Sequence, residues 1–315
     1  WPTGATAEKV KILTSQNDVS TALNNMQDGE YLYFAPLEDE AKYNIPAIFI
    51  NYKQNVNFFG SAGTKFNGFM FRYGDSSADN FNLTIDGITF VDCTFGFGYQ
   101  KDIKSFNSFN IKGCSFENST IGISTAASSI SNVNIEDSYF NTIDTYTATA
   151  NSGWGFACNL KLSPTTGINN VVIKRCNFDN PAYDTYIENE TRAPYNCIQF
   201  GTILLNTNIT LEDNTFTHTT DRAVNFTFKE AGQLTGNYSI KNNTFTDVRY
   251  HSYGSASSDY QVIYLGISTA KSISETTGTT SFSKNKLDNK EISITWNVEE
   301  KTMGYMAFHS DKPAE

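Results

Sequence analysis

Along this chain, apolar residues recur two apart, break for a short polar step and resume with an aromatic. Segments 88–95 (ITFVDCTF), 109–116 (FNIKGCSF), 133–140 (VNIEDSYF), 171–178 (VVIKRCNF), 209–216 (ITLEDNTF) and 238–245 (YSIKNNTF) share this figure, and 280–287 (TSFSKNKL) is a degenerate seventh copy. The template is apolar, any, apolar, two polar, then Asn, Cys or Ser, any, and an aromatic. Side chains two residues apart project from one face of a strand. The closing aromatic turns inward again beyond the polar bend, so each copy predicts a strand, a corner and the start of a second strand. Closing residues fall at 95, 116, 140, 178, 216, 245 and 287, so coils run from 21 to 42 residues. A solenoid accommodates unequal coils, because insertions leave the stack without disturbing the contacts between repeats.

A further apolar stretch follows the motif in each coil, at 120–124, 154–162, 197–205, 223–228 and 261–267. Near the amino end Val19, Ala22, Leu23 and Met26 lie at helix spacing, with Asn17 or Asp18 placed as N-cap and Gly29 just past the end. A one-sided helix of this kind covers the open end of a solenoid. Segments 30–34, 47–50 and 56–59 read as strands of the first coils, and 292–296 as a closing strand.

With this repeat, the chain resembles a right-handed parallel β-helix of the pectate-lyase-like superfamily over roughly residues 30–290. The order of helix, strand and NVNFFGSAGT turn is similar to the start of polysaccharide-associated β-helix proteins of gut bacteria, uncharacterised ones among them. The resemblance implies an all-β, single-stranded parallel β-helix with a short N-terminal capping helix. One domain spans 1–315, with the cap in 1–29, coils in 30–290 and a closing strand and tail in 291–315. It also implies a polar ladder at one corner, here Cys93, Cys114, Ser138, Cys176, Asn214, Asn243 and Asn285. As a guide to function, a fold of this kind says little, since such scaffolds host many activities.

The residue after the second apolar position alternates in sign: Lys112, Glu136, Lys174, Glu212, Lys241. On neighbouring strands about 4.8 Å apart, opposite charges then meet at each step. This reads as a structural ladder, which removes Lys174-Arg175 and Glu212-Asp213 from the catalytic candidates. Cys93, Cys114 and Cys176 read as reduced, buried corner residues. Cys158 and Cys197 follow their closing Phe at nearly the same offset and are the better candidates for a disulfide.

Charge narrows the partners. With 23 Lys plus Arg against 33 Asp plus Glu the net charge is −10, the wrong sign for tracking a phosphate backbone. Nucleic acid is therefore not an expected partner, and no apolar run suits membrane insertion. No apolar leader opens the chain at Trp1, and the resemblance implies a secreted or cell-surface location for it. His218, His251 and His309 show no zinc-ligand spacing, and there is no phosphate-binding glycine loop or Gly-x-Ser-x-Gly elbow. No cofactor or metal is called for by these residues, with calcium left open.

Candidate chemistry gathers in the segments between the motif and the following strand. Those at 141–153, 179–196 and 246–260 are long, and they should emerge along one side and wall a groove. Tyr146, Trp154, Tyr183, Tyr186, Tyr195, Tyr250 and Tyr253 offer apolar faces to sugar rings, and Glu188, Glu190, Arg192, Arg249 and His251 offer hydrogen bonds. A glycosidase would need a carboxyl pair such as Glu188 and Glu190. A lyase would need a base with a cationic helper, for which His218, Asp221 and Arg222 in THTTDRAVNF form the densest cluster. The paired-Asp and Gly-His-Gly signatures of polygalacturonases are missing. Two functional classes thus stand: a polysaccharide lyase or glycoside hydrolase acting through a Tyr-rich groove, or a non-catalytic glycan-binding or structural surface protein.

Overall fold

The computed structural model describes residues 2, 4–44, 48–49, 54–67, 71–72, 80–97, 105–123, 129–142, 158–164, 166–181, 196–200, 207–219, 222–228, 236–248, 261–267, 280–292, 295–296 and 305–308. They form a parallel β-helix with three faces. Two ten-stranded sheets run the length of the stack, and an eight-stranded sheet forms the third face from Thr94–Phe97 onward, with a separate two-stranded pair, Ile48–Phe49 and Phe71–Arg72, in the first coils. All pairings are parallel except at the carboxyl end. There Lys290–Glu291 folds back on Lys286–Leu287, and Thr295–Trp296 and Tyr305–Phe308 close the third sheet as an antiparallel pair. The closing element is therefore more than the single strand expected at 292–296.

The period-two pattern sorts side chains as expected. In the first sheet Leu83, Phe109, Val133, Val171, Ile209 and Tyr238 stack in register and are buried, as are Ile85, Ile111, Ile135, Ile173, Leu211 and Ile240. In the second sheet the closing aromatics form a single column, Phe66, Phe90, Phe116, Phe140, Phe178, Phe216 and Phe245, with nearly parallel rings. The stretches following the motif form the third sheet, with Ile121, Leu160, Ile198, Val224 and Ile263 facing inward. The helix runs over Gln16–Asn25, and Val19, Ala22 and Met26 close the core at that end. Its N-cap is Ser15, which keeps an extended backbone and donates its hydroxyl to Asp18, so the cap lies two or three residues before the expected position.

The corner between the first and second sheets explains the two polar positions of the template. The second of them adopts a left-handed backbone in every copy: Gly87, Gly113, Asp137, Arg175, Asp213, Asn242 and Lys284, with φ between 52° and 68°. Gly, Asp and Asn tolerate this region best. The next residue turns inward. Its backbone N–H donates to the side chain one coil on, from Cys114 to Ser138 Oγ (3.2 Å), from Cys176 to Asn214 Oδ1 (2.9 Å) and from Asn214 to Asn243 Oδ1 (3.1 Å).

The first copy of the motif is shifted. Ile85 pairs with Ile111 and Phe90 with Phe116, so the true copy is 83–90 with Ile88 at the ladder corner. Cys93 sits at the next corner instead, where its N–H donates to Ser119 Oγ (2.9 Å). An apolar Ile at the ladder position hid this copy, while Cys93 followed by Phe95 imitated it. The structure does not bear out the Cys158–Cys197 disulfide either: Cys158 is in register with Asn196, one residue before Cys197, and Cys197 is a buried thiol outside any disulfide. A one-residue slip reverses a strand side chain's direction.

Cys93, Cys114 and Cys176 are buried and in no disulfide, as expected. Burial pushes the Cys114 and Cys176 thiols up to about 12. The folded state therefore favours the protonated thiol. That stability is complete below the ordinary thiol value of about 8.5 and is lost as pH rises toward about 12. Two outcomes are expected: a lower urea midpoint at pH 10.5 than at pH 8, and no labelling of Cys114 or Cys176 by iodoacetamide at pH 8 until the chain is unfolded. Mass spectrometry of the native protein showing either thiol alkylated would contradict this.

The outward column is an ion ladder. Asp86, Lys112, Glu136, Lys174, Glu212 and Lys241 occupy successive coils in register. Lys174 Nζ meets Glu212 Oε2 at 3.0 Å, and Arg175 reaches back to Glu136 (2.7 Å) and Asp137 (2.6 Å). These partly exposed pairs tie neighbouring coils together.

Candidate functional site

The corner between the second and third sheets is where coil lengths differ. Second-sheet strands end at Glu117, Asn141, Asp179, Thr219 and Val248, and third-sheet strands resume at Thr120, Cys158, Asn196, Arg222 and Gln261. The connections 142–157, 180–195 and 249–260 are long, while 118–119 and 220–221 are short. All five leave from one corner of successive coils, as the sequence implied. The short 220–221 connection is thus flanked in the stack by the roots of two long ones.

That short coil carries His218. Its backbone is left-handed (φ 53°), like Asp92, Asn118 and Asp247 at the same corner (φ 54°, 47° and 52°). Asn, Asp and His are the side chains besides Gly that enter this region most readily. Asp179 pairs in register with Thr217, and Thr217 with Thr246, so the coils on either side present carboxylates to the ring. His218 Nδ1 lies 2.6 Å from Asp179 Oδ1, and Nε2 lies 3.7 Å from Asp247 Oδ2. All three side chains are about one-third exposed.

A carboxylate at Nδ1 favours a proton there, donated to Asp179, and Nε2 faces the Asp247 carboxylate. An imidazole oriented by a carboxylate through Nδ1 is one part of the arrangement of a general base. The surroundings are acidic. Glu117, Asn141 and Asp179 are register neighbours, and Asp247 N–H donates to Asp288 Oδ1 (3.4 Å). Burial, and then the Asp179 and Glu117 carboxylates, raise the Tyr139 phenol above its usual range. Among the described residues no group of three or more His, Cys, Asp or Glu is arranged to hold a metal ion.

Behind this row a buried polar cluster fixes the corner. Asn159 and Asn180 exchange two amide hydrogen bonds (2.9 and 3.0 Å). The Asn159 amide also donates to Thr142 Oγ1 (3.4 Å), and Asn180 to Cys197 Sγ (3.5 Å). Thr142 and Asn180 open two of the long connections, so the cluster anchors both at their roots. Such buried amides are costly unless fully bonded, which gives the corner one arrangement.

Of the residues singled out in the sequence, His218 is in this site. Arg222 opens a third-sheet strand, but its side chain, and Asp221, lie outside the described residues. Tyr146, Trp154, Tyr183, Tyr186, Glu188, Glu190, Arg192, Tyr195, Arg249, Tyr250, His251 and Tyr253 also lie outside them. Asp179 and Asp247 escaped the sequence reading. Their signal was their offset from the closing aromatic: one residue after Phe178 and two after Phe245, beside His218 at two after Phe216.

Among the described residues no helix is long and apolar enough to cross a membrane. Compared with known proteins, the chain matches no family model, no curated protein and no solved structure.

Proposed function

We propose that this β-helix protein takes a glycan along the corner between its second and third sheets, with His218 as proton acceptor and Asp179 as the group that orients it. The observation that carries the reading is the row Asp179, His218, Asp247, set in a short coil between the roots of two long connections. Those connections contain the Tyr-rich segments, whose composition suits sugar rings. The repeat and the polar ladder support kinship with the pectate-lyase-like β-helix proteins, and with it a secreted or cell-surface setting. Among the described residues the acid row disfavours a uronate, whose carboxylate would face Glu117, Asp179 and Asp247. A neutral glycan fits better.

On a neutral glycan the chemistry is hydrolysis. His218 Nε2 takes a proton from water as it attacks the anomeric carbon, and a carboxyl group supplies the proton to the leaving oxygen. A second reading, a non-catalytic glycan binder, is favoured by one specific observation: both ring nitrogens face carboxylates, as in a purely structural link.

A panel of neutral and uronic-acid polysaccharides, with and without calcium, separates the readings through new reducing ends, absorbance near 235 nm and binding. Under the hydrolytic reading, neutral substrate yields reducing ends and His218→Ala lowers their rate at least about 100-fold with an unchanged melting temperature. Binding without product selects the binder. Unsaturated product would replace hydrolysis by elimination, and silence across the panel would end the glycan reading.

A further inference from the structure

We propose that the amino-terminal end of the first sheet carries a second site, a cleft on its outer face that holds one neutral sugar ring. The site shares a ligand class with the corner but none of its residues, so the two stand or fall separately. The argument begins from the outward column of the first sheet. In five successive coils that column is Lys112, Glu136, Lys174, Glu212 and Lys241, the ion ladder. In the first three coils the same column, in register, is Ile12, Tyr33 and Phe59, with Asp86 at the junction. Ile12 and Tyr33 face away from the core there, while Phe59 is 6 % exposed and packs against the Tyr31 and Tyr33 rings.

The three side chains line a cleft of about 470 Å³, within the range of small-ligand sites, together with Val10, Ser61 and Asp86. Ile12 is 60 % exposed, the one large hydrophobic side chain exposed among the described residues. The Tyr33 and Phe59 rings lie 5.1 Å apart and tilted, giving an apolar wall at one end of which polar groups converge. Tyr33 Oη donates to Ser61 Oγ at 3.0 Å, which leaves the Ser61 proton for an outside acceptor, and the Asp86 carboxylate accepts from outside donors.

An apolar face with a hydroxyl-bearing rim is what a pyranose presents: C–H groups pack on aromatic carbon while ring hydroxyls bond the edge. Charge argues against an ionic ligand. Among the described residues Asp86 is the one acid lining the cleft, and Lys112 beside it in register offsets its charge. Burial also raises the Asp86 carboxyl above its usual range, so the cleft itself disfavours a full charge.

Saturation-transfer NMR with cellohexaose, maltohexaose, mannohexaose and xylohexaose tests the site, using the wild type, Ile12→Lys, Tyr33→Ala and His218→Ala. Melting temperatures verify that each variant folds, and Ile12→Lys alters an exposed side chain the fold does not need. The expected result is binding of at least one hexasaccharide that both cleft variants weaken about tenfold or more, while His218→Ala leaves it unchanged. The proposal is overturned if none of the four binds, if binding ignores both cleft substitutions, or if His218→Ala removes it. The last outcome would place the sugar at the corner, whereas cleft binding in a wild type that releases no reducing ends would sink the hydrolytic corner reading alone.

Discussion

Phe178→Ala is expected to cost about 3–5 kcal/mol and to lower the melting temperature by several degrees, the largest effect of any single truncation proposed. Phe178 is fully buried, with Phe140 at 4.7 Å (7° between ring planes) on one side and Phe216 at 5.0 Å (5°) on the other. Parallel strands about 4.8 Å apart impose that ring spacing, so no neighbour can move to fill the gap. The cavity stays open, and the loss of contacts adds to the loss of burial. In a solenoid each coil touches only its neighbours, so the damage is local: the stack is cut between the coils of Phe140 and Phe216. Urea unfolding followed by circular dichroism should show a lower midpoint, with a broadened or divided transition. Phe178→Leu should cost much less, about 1 kcal/mol, because it keeps most of the volume. A Phe178→Ala midpoint equal to wild type would mean the column contributes little.

Asn243→Leu is expected to cost about 3 kcal/mol although leucine is more apolar and of similar length. The Asn243 Oδ1 accepts from the Asn214 backbone N–H (3.1 Å) and from its amide (3.0 Å). Its own amide donates to Leu211 O and to Asn285 Oδ1, both at 2.9 Å. Leucine would strand the Asn214 N–H and the Leu211 carbonyl in a dry corner, at about 1–3 kcal/mol for each group left unpaired. Asn243→Ser should recover most of the loss. Ser138 occupies the same corner in another coil, where it accepts from Cys114 N–H (3.2 Å) and donates to Glu136 O (2.8 Å). If Leu and Ser variants unfolded at the same urea concentration, shape and not hydrogen bonding would govern the ladder.

The chain's local pattern determined a good deal. Period-two burial, the polar corner and the closing aromatic recur within eight residues, so the strands of all three sheets and the ion ladder could be read from their own neighbourhoods. The capping helix was legible for the same reason, since Val19, Ala22 and Met26 declare one buried face in ten residues.

Tertiary structure decided whatever depends on which coil lies against which. Coils differ in length through their insertions, so sequence distance does not reveal stacking partners. A one-residue shift set Cys158 in register with Asn196 and not with Cys197, and an apolar Ile88 concealed the first true repeat. Asp179 and Asp247 became partners of His218 only when coils 39 and 29 residues away were laid beside it. The apolar cleft of Ile12, Tyr33 and Phe59 likewise exists only once three strands are in register. In each case the deciding quantity is a contact between residues far apart in the chain. The backbone ladder fixes such contacts, and local propensity carries no record of them.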